Sequence, residues 1–123
     1  MPLVRIDVLE GRTGRELEAI GDGVHRSLVE AIGIPPLDRF QVIPQHPPGR
    51  LVFDPQDLGF SRTSGVVFVP ITFSAGRTLE QKRSLYAAIA RILSSGAGVH
   101  PEDVFVNLVE VGKENWSFGN GVA

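Results

Sequence analysis

The chain contains no cysteine. Disulfides, thiolate nucleophiles and thiolate metal ligands are therefore excluded. Net charge is also small: 12 Lys and Arg stand against 14 Asp and Glu, which leaves −2. Such a balance gives no basic footprint for nucleic acid or for an anionic membrane. No long apolar run and no basic leader occur, so neither a membrane span nor a secretory signal is expected, and the cytoplasm is the expected location. In that setting the sequon Asn115-Trp116-Ser117 reads as chance. Histidine is sparse, with only His25, His46 and His100. They lack metal-ligand spacing, and no carboxylate lies at i, i+4 beside one. His25 and His100 read as surface or capping residues. Gly96-Ala97-Gly98 and Gly119-Asn120-Gly121 lack the strand-then-helix setting of phosphate-binding glycines and read as loop glycines. No metal site and no cofactor site are expected.

What remains is an ordinary globular composition, 42% hydrophobic and 21% charged over 123 residues. That length suits one domain with one modest core. Its organisation shows as a repeat. A shift of 65 carries Gly11-Arg12-Thr13 onto Gly76-Arg77-Thr78. The same shift carries Arg26, Leu28, Gly33, Pro36, Asp38 and Phe40 onto Arg91, Leu93, Gly98, Pro101, Asp103 and Phe105. A constant offset over such a stretch implies two copies of one supersecondary unit. Repeat 1 covers about residues 2–44, a linker 45–64, repeat 2 about 65–110 and a tail 111–123.

Each copy reads strand, helix, strand. Val4, Ile6 and Val8 alternate with Arg5 and Asp7, the period of a strand. Thr13-Gly14-Arg15-Glu16 forms a capping box, and Leu17, Ile20, Val24, Leu28 and Ala31 follow as one apolar stripe. Gly21 and Gly23 inside that helix cost stability. Gly33 and Pro35-Pro36 end it before the strand 39–43. In the second copy, Val66 to Phe73 is a strand apolar on both sides, and Thr78-Leu79-Glu80-Gln81 is again a capping box. Leu85, Ala88, Ile89, Ile92 and Leu93 make its stripe, and Val104 to Val109 is its last strand. Leu51-Val52-Phe53 is a candidate extra strand in the linker, and the tail reads as a loop or small hairpin.

Right-handed crossovers put both helices on one face. The fold class is therefore α/β (α+β): two β-α-β repeats sharing a four-stranded mixed sheet with the helices on one side. The other face stays bare, yet the strand at 66–73 is apolar there too, which predicts an oligomer with sheet faces turned inward. Pro70 is expected at an edge or bulge, where its missing donor faces no neighbour.

The site with chemical potential lies at the start of the chain. A Met followed by proline is normally trimmed, and Pro2 would then carry a free secondary amine. Free α-amines titrate near about 7.7–8.0, so neighbours decide whether such a group serves as acid, base or nucleophile. The repeat puts Arg12 and Arg77 at pseudo-equivalent helix N-termini, where amides and guanidinium together suit an anion. It pairs Asp38 with Asp103 ahead of the second strand of each unit. Only the first copy begins at a chain terminus.

These residues carry a likeness. The proline after Met1, the two strand–helix–strand copies and Gly76-Arg77-Thr78 resemble the tautomerase superfamily. Pro2 to Asp7, Asp38 to Val42, Gln45-His46-Pro47, Glu80-Gln81-Lys82 and Asn115-Trp116-Ser117-Phe118-Gly119 are most similar to its malonate semialdehyde decarboxylase group. The resemblance implies a cofactor-free enzyme, a homotrimer, acting on a small oxo-acid. It implies a cationic Pro2 amine that engages the substrate carbonyl, by proton donation or as an imine, while carbon dioxide leaves. Asp38 would raise the amine's pKa or help position water, Arg77 would hold the substrate carboxylate, and Trp116 and Phe118 would wall the pocket. The second arginine of that group has no counterpart in Ser74-Ala75-Gly76-Arg77. A neutral Pro2 would instead suit keto–enol tautomerisation of a 2-oxo-acid, or a related hydratase activity. A non-catalytic binding or assembly module of the same fold is the reading from another class.

Overall fold

A computed structural model describes all 123 residues. Thr13 opens α1 (Gly14–Ile32): its hydroxyl accepts from the Glu16 amide at 3.2 Å, and Glu16 Oε1 accepts from the Thr13 amide at 2.9 Å. Thr78 and Gln81 repeat the box ahead of α2 (Leu79–Ala97) at 3.1 and 2.9 Å. Each box satisfies two amides that the helix start leaves without partners. Gly33 and Gly98 end the helices at φ 69° and 65°, a left-handed conformation that glycine adopts without a Cβ clash. Both helices are 19 residues long and keep the 65-residue offset from cap to cap.

The strand segments are β1 (Leu3–Arg5), β2 (Asp7–Leu9), β3 (Gln41–Val42), β4 (Gln45–His46), β5 (Val67–Ser74) and β6 (Val104–Val111). One parallel ladder runs through the first four: the amides of Val4, Ile6, Val8 and Glu10 donate to the carbonyls of Phe40, Val42, Pro44 and His46 at 2.9–3.3 Å. β1 and β2 thus behave as one strand, and β3 and β4 as another. The six segments form four strands in the order β3/β4, β1/β2, β5, β6, parallel at both flanks and antiparallel in the middle. The first repeat therefore extends to His46, two residues past the expected boundary.

In the antiparallel centre Leu3 faces Thr72 and Asp7 faces Phe68. The two pairs exchange under the 65-residue offset, so a pseudo-dyad passes between Arg5 and Pro70. Pro70 consequently corrects the expectation of an edge or bulge. It lies in β5, an interior strand flanked by β6 and by β1/β2. It falls opposite Arg5 and cannot donate across the ladder. The interruption between β1 and β2 at Ile6 sits at that place. The sheet gives up a central hydrogen bond rather than moving the proline outward. Leu51-Val52-Phe53 forms no strand: Leu51 is buried while Val52 is 80% exposed. A buried side chain, not a ladder, holds that segment between its flanking prolines.

One core joins Val4, Ile6, Val8, Val67, Val69, Ile71 and Phe73 of the sheet to Ile20, Val24 and Leu28 of α1 and Leu85, Ile89 and Leu93 of α2. Both helices cover the same sheet face, as the crossover rule requires. The two glycines of α1 belong to this packing. A Cβ on Gly23 would stand 2.7 Å from Leu93 Cδ2, and one on Gly21 would stand 2.8 Å from Gln41 Oε1. Their helix-propensity cost is traded for close approach to α2 and to the sheet edge.

The opposite sheet face is bare. Leu3, Val42, Phe105 and Val109 are each more than two-fifths exposed there, and Phe68 packs on Phe105 at 5.2 Å between centroids. Among them Asp7 accepts from Arg5 at 2.9 Å and from His46 at 2.7 Å. Burial alone would push the Asp7 carboxyl up, but the bonds from Arg5 and His46 outweigh it and hold it below its usual range. The tail makes a 3₁₀ turn at Lys113–Asn115 and then a small hairpin across Gly119 and Val122. Asn120 and Gly121 have φ 57° and 67°, the paired positive angles of a tight two-residue hairpin turn. No helix is long and apolar enough to cross a membrane.

The two capping boxes differ in one atom that titrates. The backbone and hydroxyl of Thr13 hold the Glu16 carboxyl below its ordinary range. A carboxyl lowered in the folded state contributes stability above its unfolded pKa, and that stability is lost as pH falls through the folded value. Glu16→Gln copies the second box and removes this dependence. Urea unfolding is expected to show the variant less stable than the parent at neutral pH, with the two converging in acid. Parallel curves at all pH values would contradict it.

Candidate active site

The duplication supplies an internal comparison, because each repeat carries one buried aspartate ahead of its outer strand. Asp103 is 2% exposed and fully engaged. It accepts from the Thr63 amide at 2.7 Å and from the Thr63 hydroxyl at 2.6 Å. Its repeat mate Asp38 has a side chain 8% exposed, yet Asp38 Oδ1 has no hydrogen-bond partner. Asp38 Oδ2 lies 3.8 Å from the terminal amine, here that of Met1. The position of Asp38 follows from the Pro35-Pro36 turn. Its amide donates to the Pro35 carbonyl at 2.9 Å, and His25 Nε2 donates to the Pro36 carbonyl at 2.7 Å. Leu37 is thereby left outside and Asp38 turned inward.

The linker makes the two ends of the sheet differ. At the end that holds Asp103, linker residues cover the aspartate and, with Phe68 and Phe105, line a second cavity of about 210 Å³. Thr63 binds Asp103, Arg12 donates to the Gly65 carbonyl at 2.7 Å, and the Arg62 guanidinium lies 5.8 Å from the Phe105 ring centre. Arg12, the mate of Arg77, is therefore committed to structure. At the other end no linker segment bonds to the aspartate. There the N-terminal residues meet Phe40 and the tail to form a cavity of about 200 Å³ lined by Met1, Pro2, Leu3, Phe40, Trp116, Ser117 and Phe118.

Pro2 itself is buried. Trp116 and Phe118 stack at 5.3 Å with an interplanar angle of 19°, and the Trp116 indole donates to Ser74 Oγ at 3.1 Å. Of the sequence-derived candidates, Pro2, Trp116 and Phe118 share this cavity, and Asp38 faces the terminal amine at its edge. Arg77 stands apart from the lining. Its guanidinium lies 5.7 Å from the Phe73 ring centre. The register that pairs Leu3 with Thr72 sets Phe73 beside Pro2, so Arg77 is at the same end of the sheet. Next to it Glu110 is held below its usual range, chiefly by the Lys82 ammonium at 2.6 Å, with the Gly76 backbone and the Arg77 charge adding to the effect. Phe40, Ser74, Glu110 and Lys82 are members of this neighbourhood to which the sequence gave no role. Phe40 had two signals, its repeat mate Phe105 and the segment Asp38 to Val42, and Lys82 had one, the segment Glu80-Gln81-Lys82. Ser74 and Glu110 are brought in by tertiary packing.

Arrangement and ancestry agree. Two family models described as tautomerase enzyme match residues 38–119 and 2–60. A curated relative, the probable tautomerase YusQ of Bacillus subtilis (strain 168), is 40% identical over all of this chain and 97% of its own length. The solved malonate semialdehyde decarboxylase is similar at 38% identity with a TM-score of 0.91, over 98% of this chain and 92% of that one. In fold alone the chain matches Q0 fused 4-OT, a symmetric trimer, at 22% identity and a TM-score of 0.80, over 98% of this chain and 94% of that one. The chain belongs to the tautomerase superfamily of enzymes and, within it, is similar to malonate semialdehyde decarboxylase.

Proposed function

We propose that the chain is a cofactor-independent decarboxylase of a small 3-oxo-acid, of the malonate semialdehyde type, that works through the amine of Pro2 after removal of Met1. The observation that carries this reading is the buried Asp38, with Oδ1 unbonded and Oδ2 3.8 Å from the Met1 amine, whose place as the chain's terminal amine Pro2 takes once Met1 is removed. A buried carboxylate without another partner stabilises a cation next to it. An amine kept cationic serves as an acid rather than a base. In this reading the Pro2 ammonium hydrogen-bonds or protonates the substrate carbonyl. The bond to the carboxyl carbon breaks, its electron pair passes into the enol, and carbon dioxide departs. A solvent proton then adds to the enol carbon while the proton on oxygen returns to the Pro2 nitrogen, which gives the product aldehyde. The wall of Phe40, Trp116 and Phe118 is apolar, though Phe40 and Phe118 are 50% and 61% exposed in the single chain, and it lowers the polarity around the carboxylate, which favours its loss. Arg77 is the cation assigned to hold that carboxylate on binding. Its place over Phe73, at the same end of the sheet as Pro2, supports that assignment.

The solved relative is described with both decarboxylase and hydratase activities, and the curated relative as a probable tautomerase. A 2-oxo-acid tautomerase is therefore the second reading, and it would need Pro2 neutral. With malonate semialdehyde, the processed chain is expected to release carbon dioxide and acetaldehyde, and Pro2→Ala to lower kcat/KM by about 10²–10⁴-fold, the usual worth of a positioned acid. Background decarboxylation together with turnover of phenylenolpyruvate would replace the first reading by the second. Full activity in a chain whose intact mass retains Met1 would contradict both, because Pro2 would then be an amide.

The bare sheet face, with Leu3, Val42, Phe105 and Val109 exposed, supports assembly as a homotrimer with these faces turned inward. Sedimentation equilibrium is expected to return the mass of three chains. A monomer at micromolar concentration would contradict this assembly.

A further inference from the structure

One hydrogen bond ties residues 112–123 to the rest of the chain. The Trp116 indole N–H donates to Ser74 Oγ at 3.1 Å. The backbone bonds of this segment stay inside it: Asn115 to the Gly112 carbonyl, Trp116 to the Lys113 carbonyl, and Val122 to the Gly119 carbonyl. Neither Lys113 nor Glu114 forms an ion pair. Yet this segment supplies Trp116, Ser117 and Phe118, a whole wall of the cavity at Pro2. Ser74 ends β5, and its side chain alternates in phase with Phe68, Pro70 and Thr72. The register of Leu3 with Thr72 brings Ser74 alongside the start of the chain. A serine on the rigid sheet thus holds Trp116, which stacks on Phe118 at 5.3 Å within that wall.

We propose that Ser74 is a positioning residue: its hydroxyl latches Trp116, and through it Phe118, in the place that closes the Pro2 cavity around a small oxo-acid. The kinetic part of this proposal rests on the reading of that cavity as the substrate site; the latch itself does not. A single neutral hydrogen bond favours the closed wall over an open one by about three- to tenfold. The wall is therefore closed at rest and opens readily for exchange. Ser74→Ala leaves the indole N–H with no acceptor inside, and the wall swings toward water. Ser74→Thr keeps the hydroxyl and suits a strand.

Trp116 is the sole tryptophan, so intrinsic fluorescence reports this wall alone. For Ser74→Ala the emission is expected to shift to the red, and the acrylamide quenching constant to rise about twofold or more. Trypsin is expected to cut after Lys113 about three- to tenfold faster. Ser74→Thr should match the parent in each measurement. With an oxo-acid that the parent turns over, Ser74→Ala should raise KM about three- to tenfold and leave kcat within about twofold, since Ser74 touches no reacting atom. Unchanged quenching and proteolysis in Ser74→Ala, or equal change in Ser74→Thr, would overturn the latch. A fluorescence change with KM untouched would overturn the positioning role. A parent that turns over no oxo-acid would reject the proposed reaction, while fluorescence and proteolysis still decide the latch. Should Ser74→Ala fail to fold, Trp116→Phe keeps an aromatic ring without the donor. Its trypsin cleavage is then expected to accelerate, and cleavage at the parent rate would overturn the latch.

Discussion

A carboxylate taken out of water and given no partner is among the costliest arrangements a small core can hold. Asp38 comes close to that: one oxygen has no hydrogen-bond partner, and the other has only the terminal amine of Met1, 3.8 Å away. Its duplicate, Asp103, shows what the fold does when a buried aspartate serves structure alone. Two donors from Thr63 satisfy it, and the linker closes over it. The two repeats share the same turn and the same residue and differ in what comes next to it. At one end a loop supplies hydrogen bonds; at the other a terminus supplies a positive charge. The whole proposed chemistry depends on that asymmetry, because a cation held in an aromatic cavity is what turns an N-terminal proline into an acid.

The surrounding architecture exists to hold that end still. Paired capping boxes and left-handed glycines set two helices of equal length, and Gly21 and Gly23 let the first settle tightly against its neighbours. The antiparallel centre, with its pseudo-dyad between Arg5 and Pro70, joins the start of one repeat to the end of the other's strand. Pro2 is therefore buried beside Phe73 and shares a cavity with Trp116, Ser117 and Phe118 of the tail. Without the antiparallel join the terminal residue would fray, as chain ends generally do.

Much of the framework was legible in residues alone. The shift from Gly11-Arg12-Thr13 to Gly76-Arg77-Thr78 carried the duplication, and Thr13 with Glu16 and Thr78 with Gln81 carried the helix starts. The second stripe, Leu85 to Leu93, is the buried face of α2. Local signals have local causes, and these elements are local. Pro70 went the other way. Its residue type favours an edge, but the central position is set by symmetry and by apolar burial on both sides, which outweigh one lost donor. Leu51-Val52-Phe53 had strand composition but no strand to pair with. At the site, Pro2, Asp38, Trp116 and Phe118 could be nominated from sequence. The orphaned state of Asp38, the commitment of Arg12 to Gly65 and the Ser74–Trp116 bond could not. Each joins parts of the chain that no spacing rule connects. The Arg5–Asp7–His46 cluster on the bare face is of the same kind, built across two strands.

The most direct measurement is the titration of the Pro2 imino nitrogen by ¹⁵N NMR in the Met1-free chain and in its Asp38→Asn variant. If the unpaired carboxylate governs the amine, the nitrogen titrates above the ordinary α-amine range of about 7.7–8.0, and the variant brings it down by about one unit or more. A midpoint at or below that range, or one that ignores the loss of the Asp38 charge, would contradict the central claim.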